Sequence, residues 1–170
     1  MPRNDFGADS IGDLIDEAER IADRFEEFST LLRERFDEAL ADANEELHRL
    51  TEEYAPRADE SDEDYHRPDG YTKLHESVDS FRDGLLRYRV VVDHPAARPQ
   101  EYGAAPHTIR AKQADYLRFK VNGSWVTTVE VRHPGNDPQP FLDPAIRDVA
   151  KGLRDRLLDV FDETKRDVFG

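Results

Sequence analysis

Apolar residues recur at steps of three and four between residues 10 and 54: Ile11, Leu14, Ile15, Ala18, Ile21, Ala22, Phe25, Phe28, Leu32, Phe36, Ala39, Leu40, Ala43, Leu47 and Leu50. That spacing is one face of an α-helix. Ser10 is expected as its N-cap, with Asp13 in the first turn where an acid suits the helix dipole. No proline or glycine interrupts the segment after Gly12. A helix over 10–54 would be roughly 60 Å long, so it should either project in part or break near residues 28–30. Its charged positions read as a solvated face, with a protein partner along the exposed part.

Residues 55–70 carry an Asp/Glu cluster and two prolines, with little to bury. An acidic mobile loop is expected there, and its spacing is not that of an EF-hand calcium loop. Leu74, Val78, Phe81 and Leu85 share one stripe, which predicts a second helix over about 72–82. The run RYRVVVD (87–93) is rich in β-branched residues and predicts a strand. A proline-bounded turn or short helix follows over 94–103, then a short strand in HTIRA.

The most readable element is YLRFKVNGSWVTTVEVR, residues 116–132. Asn122-Gly123 tolerates the positive φ angles of a type I′ turn, so two strand arms should pair across it. On the first arm Leu117, Phe119 and Val121 oppose Arg118 and Lys120. On the second, Trp125, Thr127, Val129 and Val131 alternate with Val126, Thr128, Glu130 and Arg132. Trp125, the single tryptophan, is expected in the core of a half-buried strand. A last helix over about 143–163 should start with Asp143 as N-cap and Pro144 at the first helical position. Ile146, Val149, Ala150, Leu153, Leu157, Val160 and Phe161 form its apolar stripe. The order predicts one α+β domain over 1–170: a long N-terminal helix, a small antiparallel sheet, and a C-terminal helix packed on the sheet.

Composition sharpens this picture. The 170 residues include 38 acids against 24 Lys plus Arg, for a formal charge of −14. Asp outnumbers Glu by 22 to 16, and Arg outnumbers Lys by 19 to 5. Compact, strongly hydrated Asp in place of long apolar Lys stems suits a protein working in high salt, where screening relieves self-repulsion. Such a surface is a poor general ligand for nucleic acid. The absence of cysteine removes disulfides, thiolate nucleophiles and Cys-based metal sites. Apolar runs are too short to span a membrane, and the first ten residues lack the apolar stretch of a signal peptide. An intracellular product, or one assembled inside a cell, is expected.

Candidate chemistry is sparse. There is no Gly-rich phosphate loop, G-x-S-x-G or H-E-x-x-H, so no cofactor and no enzymatic activity are expected. His94, His107 and His133 lie beside strand ends, and three convergent imidazoles would bind zinc. Each neighbours a proline, however, and capping a turn is the expected role. Glu101 and Tyr102 beside Gly103 have no identifiable partner base or nucleophile. A packed or rim carboxylate is the reading there.

Residues 71–146 contain KLHESV before a strand, then VVDHPAARPQEYGAAPHTIRAK, LRF, and VRHPGNDPQPFLDPAI. In this order the segments resemble the neck or tail-completion proteins of long-tailed double-stranded DNA viruses. QEYG…PHTI and HPGNDPQPFLDPAI are the most specific pieces. The long N-terminal helix matches no motif of that family, and the acid-rich composition suggests a haloarchaeal tailed virus or provirus. The resemblance implies a non-enzymatic virion protein of the head–tail joint or top of the tail, assembled in the host cytoplasm. It implies a homo-oligomeric ring, six- or twelve-fold, between a head-closure or stopper ring and a tail terminator or tail tube. Genome DNA would pass through without specific binding. Assembly or docking would then use motif residues Glu101, Tyr102, Gly103, His107, His133, Pro134, Gly135, Pro140, Phe141 and Leu142. A non-viral helical adaptor, binding a protein partner through the long helix, is the alternative.

Overall fold

A computed structural model of the chain describes residues 8–57, 72–112 and 114–170, with side chains from residue 11 onward. Most of the expected acidic loop therefore lies outside the described residues. The architecture is α+β. Helix α1 (Ala8–Tyr54) is followed by a 3-10 turn (Leu74–Glu76), strands β1 (Val78–Arg82) and β2 (Tyr88–Val92), and a short helix α2 (Ala97–Tyr102). Strands β3 (His107–Arg110), β4 (Leu117–Val121), β5 (Ser124–Thr128) and β6 (Glu130–His133) precede helix α3 (Leu142–Phe169).

The first helix runs 47 residues without a break at 28–30, about 70 Å of rod. It begins before Ser10, which lies inside the helix rather than capping it. Helix α3 runs back along it. Phe169 meets Phe25 and Phe28 at centroid distances of 5.3 and 5.4 Å, Arg35 reaches Asp167 at 2.6 Å, and Tyr54 donates to Asp148 at 2.9 Å. These pairs run in opposite chain order, so the helices are antiparallel. Helix α3 ends six residues later than the expected end at about 163, because Thr164, Val168 and Phe169 continue the packing.

Among the described residues, two clusters of buried side chains form the core. Ala43, Leu50, Ala145 and Val149, with Leu47 and Leu153, fill the helix–helix seam, where small residues let the backbones approach. Ala55, Leu74 and Phe141, with Val92, Ala97 and Leu142, join the end of α1, the first turn of α3 and strand β2. Thr51 and Thr164 are fully buried, and each hydroxyl donates to the carbonyl four residues earlier, Leu47 and Val160. The seam thus holds no unsatisfied hydroxyl.

The predicted helix over 72–82 is a correction. Only one 3-10 turn forms, and Val78–Arg82 pairs antiparallel with Tyr88–Val92 in full register. Strand β2 presents a row of backbone donors and acceptors that need partners, and Ser77, Val78, Asp79 and Ser80 are all weak helix formers. Leu74 and Val78 are buried as expected, but Phe81 and Leu85 are 41% and 61% exposed.

Among the described residues, the strands form three two-stranded antiparallel ribbons, β1–β2, β3–β6 and β4–β5. The Asn122-Gly123 turn forms as expected, with φ of 50° and 76°, and aligns Val121 with Ser124. Its second arm is not continuous. The Thr128 hydroxyl donates to the Glu130 carbonyl at 2.8 Å, a local bond that competes with the ladder. The chain kinks at Val129, and β6 pairs with β3 instead of β4. Ribbon β4–β5 therefore extends outward from β3–β6. Trp125 is 45% exposed rather than core, with the Arg118 guanidinium 4.4 Å above its ring centroid.

Candidate functional site

The motif pieces around residues 99–107 and 133–143 are far apart in sequence, and the fold zips them together. His107 pairs with His133 at the end of the β3–β6 ladder. Next, Ala104 and Asn136 exchange both backbone hydrogen bonds at 3.0 Å. The Asn136 side-chain amide then donates to the Pro99 carbonyl at 2.9 Å, and Gln139 N donates to the Gln100 carbonyl at 2.7 Å. Two glycines permit this approach. A Cβ on Gly103 would sit 3.0 Å from the Asn136 carbonyl oxygen and the Pro138 ring, and one on Gly135 would collide with the Ala104 carbonyl. Both have positive φ, 76° and 86°, which glycine adopts freely.

Glu101 locks the clasp. Its Oε2 accepts from Phe141 N at 2.8 Å and Leu142 N at 3.0 Å, and its Oε1 accepts from Asp143 N at 3.0 Å. These are orphan donors at the start of a helix. Phe141 sits at the N-cap position and supplies no side-chain bond, so a carboxylate from α2 does the capping. The expectation of Asp143 as N-cap is corrected. Asp143 lies within the first turn and pairs with Arg147 at 2.8 Å, and Pro144 stays in that turn, where its missing N–H costs nothing. Burial alone would raise the Glu101 pKa. Three converging backbone donors outweigh it and hold the carboxyl below the ordinary value.

The docking candidates therefore divide. Glu101 and Phe141, 8% and 1% exposed, act inside the chain's own fold. Gly103, Gly135 and Leu142 are partly covered at the joint. Tyr102 is 73% exposed, and Pro134, Pro140 and His107 also face outward. Capping describes the histidines well: His94 Nδ1 accepts from Ala96 N at 3.0 Å, and His133 Nδ1 accepts from Gly135 N at 3.1 Å. His107 and His133 lie with ring centroids 5.0 Å apart, while His94 reaches Thr72 at the other ribbon. Among the described residues, no three His, Cys, Asp or Glu side chains cluster as metal ligands.

Asp37 escaped the sequence reading because it looks like one more acid on a solvated face. Its Oδ1 accepts from Leu86 N at 3.0 Å, its Oδ2 pairs with Arg82 at 2.7 Å, and its carbonyl accepts from the Tyr88 hydroxyl. It thereby pins the β1–β2 turn, where Leu86 has φ 54°, onto α1. Burial and the nearby Asp37 charge raise the Tyr88 pKa. No local signal marks this role, since its partners lie about fifty residues away.

Charge is also unevenly placed. Residues 107–133 carry five bases, Arg110, Lys112, Arg118, Lys120 and Arg132, against Asp115 and Glu130. This β-arm is net +3 on a chain of −14, whereas helix α1 holds 16 acids against 5 bases. Among the described residues, no helix is long and apolar enough to cross a membrane. In comparisons with known proteins, no family model, no curated protein and no solved structure matches this chain.

Proposed function

We propose that this chain is a structural virion protein of the head–tail joint or top of the tail of a long-tailed double-stranded DNA virus, with a surface suited to high salt. The observation that carries the reading is the clasp. The two segments that resemble tail-completion proteins, QEYG…PHTI and HPGNDPQPFLDPAI, form one hydrogen-bonded joint that sets the angle between the β-arm and α3. A ring subunit needs such a rigid joint and exposed docking faces rather than a reactive pocket. In this reading the subunit is not an enzyme. It forms a six- or twelve-fold ring between a head-closure or stopper ring and a tail terminator or tail tube. An acidic helical surface toward the lumen would repel phosphate and let DNA slide, while the basic β-arm suits an acidic neighbouring protein.

The test is location. Gold-labelled antibody to the chain should decorate the neck of intact virions, and disruption of its gene should leave unjoined heads and tails. Labelling confined to host cytosol, with normal virions lacking the chain, would overturn the reading. The second reading, a non-viral helical adaptor, is favoured by one feature: the apolar stripe of α1 stays exposed from Ile11 to Phe25.

A further inference from the structure

Helix α1 extends well beyond its partner. The stripe that α3 covers farther along continues through Ile11, Leu14, Ile15, Ile21 and Phe25, which are 58%, 70%, 53%, 47% and 58% exposed. From Arg24 and Phe25, which reach the last turn of α3, back to Ile11 is about 21 Å of helix whose apolar stripe stays exposed. The spacing of Ile11, Leu14, Ala18, Ile21 and Phe25 alternates three and four, as in a helix made to pack on other helices.

A matching surface exists on the same molecule. Phe36 of α1 and Ala150, Leu153, Leu157, Leu158 and Phe161 of α3 line an open apolar groove. Leu158 and Phe161 are 51% and 41% exposed. From residue 150 to residue 161 the groove runs about 17 Å along α3, close to the length of the uncovered arm.

Charge selects between possible occupants. Residues 11–23 of the arm hold five acids, Asp13, Asp16, Glu17, Glu19 and Asp23, against one base, Arg20. Along α3, the bases Arg147, Lys151 and Arg154 succeed one another at steps of four and three on the face that continues to Leu158, so basic side chains border one end of the groove. Arg147 and Lys151 pair with acids of their own helix. Arg154, which lines the groove, makes no ion pair among the described residues. An acidic amphipathic helix with aliphatic anchors fits this groove, and the chain carries one.

We infer that the arm of one copy, residues 11–25, seats in the α1/α3 groove of a second copy. The two surfaces are different patches, so the contact is head-to-tail, and a joined pair still offers one free arm on one copy and one free groove on the other. The same patches of one molecule cannot meet, because the arm lies beyond the far end of α3. The inference deepens the ring reading and rests on it only for closure of the contact into a ring. High salt screens the repulsion between two chains of −14 and leaves the apolar contact intact.

Two substitutions test it, both at residues more than half exposed, so folding is spared and checked by circular dichroism. In molar salt the wild-type chain should assemble, as read by light scattering after size exclusion. Ile15→Asp and Leu158→Asp should each run as a 19.6 kDa monomer. Mixed in equal amounts, they retain one good arm and one good groove between them, and should form a 1:1 dimer and nothing larger. Both variants assembling like wild type would overturn the inference while leaving the ring to other surfaces. If Ile15→Asp alone dissociates, the arms pair with each other and the inference falls. A wild-type chain that stays monomeric at roughly millimolar concentration overturns it too, and the location of the chain in virions decides the ring reading separately.

Discussion

The Glu101 carboxylate lies 2.8 Å from the Phe141 backbone nitrogen, across forty residues of sequence. One buried acid thereby caps α3, closes the clasp and fixes where the apolar Phe141 side chain enters the core.

Replacing Glu101 by Ala leaves three donors at a buried helix start without their acceptor. The expected loss is about 2–4 kcal/mol, read by chemical denaturation. Glu101→Gln keeps one acceptor oxygen and removes the charge, so it should cost less. The pH dependence follows from the lowered pKa. A depressed carboxyl contributes stability above its unfolded value, and that contribution disappears as pH falls through the lower folded value. Wild type should lose stability on acidification below about pH 4.5 more steeply than Glu101→Gln. Identical acid limbs would show that the carboxylate charge has no part in holding the clasp.

Gly135 has φ 86° and faces the Ala104 carbonyl with no room for a Cβ. Gly135→Ala should therefore strain the backbone and push the two clasp segments apart, costing at least about 2 kcal/mol. Gly152→Ala, with open space around it on α3, should be neutral or slightly stabilising. Thermal melts of the pair would check this contrast.

Phe141 is 1% exposed and joins Ala55 and Leu74 in one cluster. Phe141→Ala should cost about 3–5 kcal/mol, and adding Leu142→Ala should release the first turn of α3. Any effect on assembly would follow from the displaced helix. Amide exchange over residues 142–149, compared with the rest of α3, would show it.

Asn122→Val with Gly123→Val places β-branched residues at φ 50° and 76°, where they do not fit. Since β4–β5 extends away from the helices, the damage should stay local. Cross-strand contacts such as Lys120 with Trp125 should vanish from NMR spectra, while the helix pair melts nearly as in wild type. A collapse of the whole fold would mean that the ribbon carries more of the core than its exposure indicates.

The sequence by itself determined both long helices, the Asn122-Gly123 turn and the strand over 88–92. Each follows from neighbouring residues: a period near 3.6, a pair that tolerates positive φ, a β-branched run. What the proline-rich segment over 131–146 grips was not legible, because the cap of α3 comes from Glu101 and the space for Gly135 is set by Ala104. The same limit explains the strand at Val78–Arg82, whose helical spacing yielded to the unpaired edge of β2, and the kink at Val129, which gave β6 to β3. Tertiary structure alone decided that Trp125 is exposed and that Asp37 anchors a turn. It also decided that the stripe of α1 outruns α3. Periodicity marks a face for burial, but only the packed partner says how far along the helix that burial reaches.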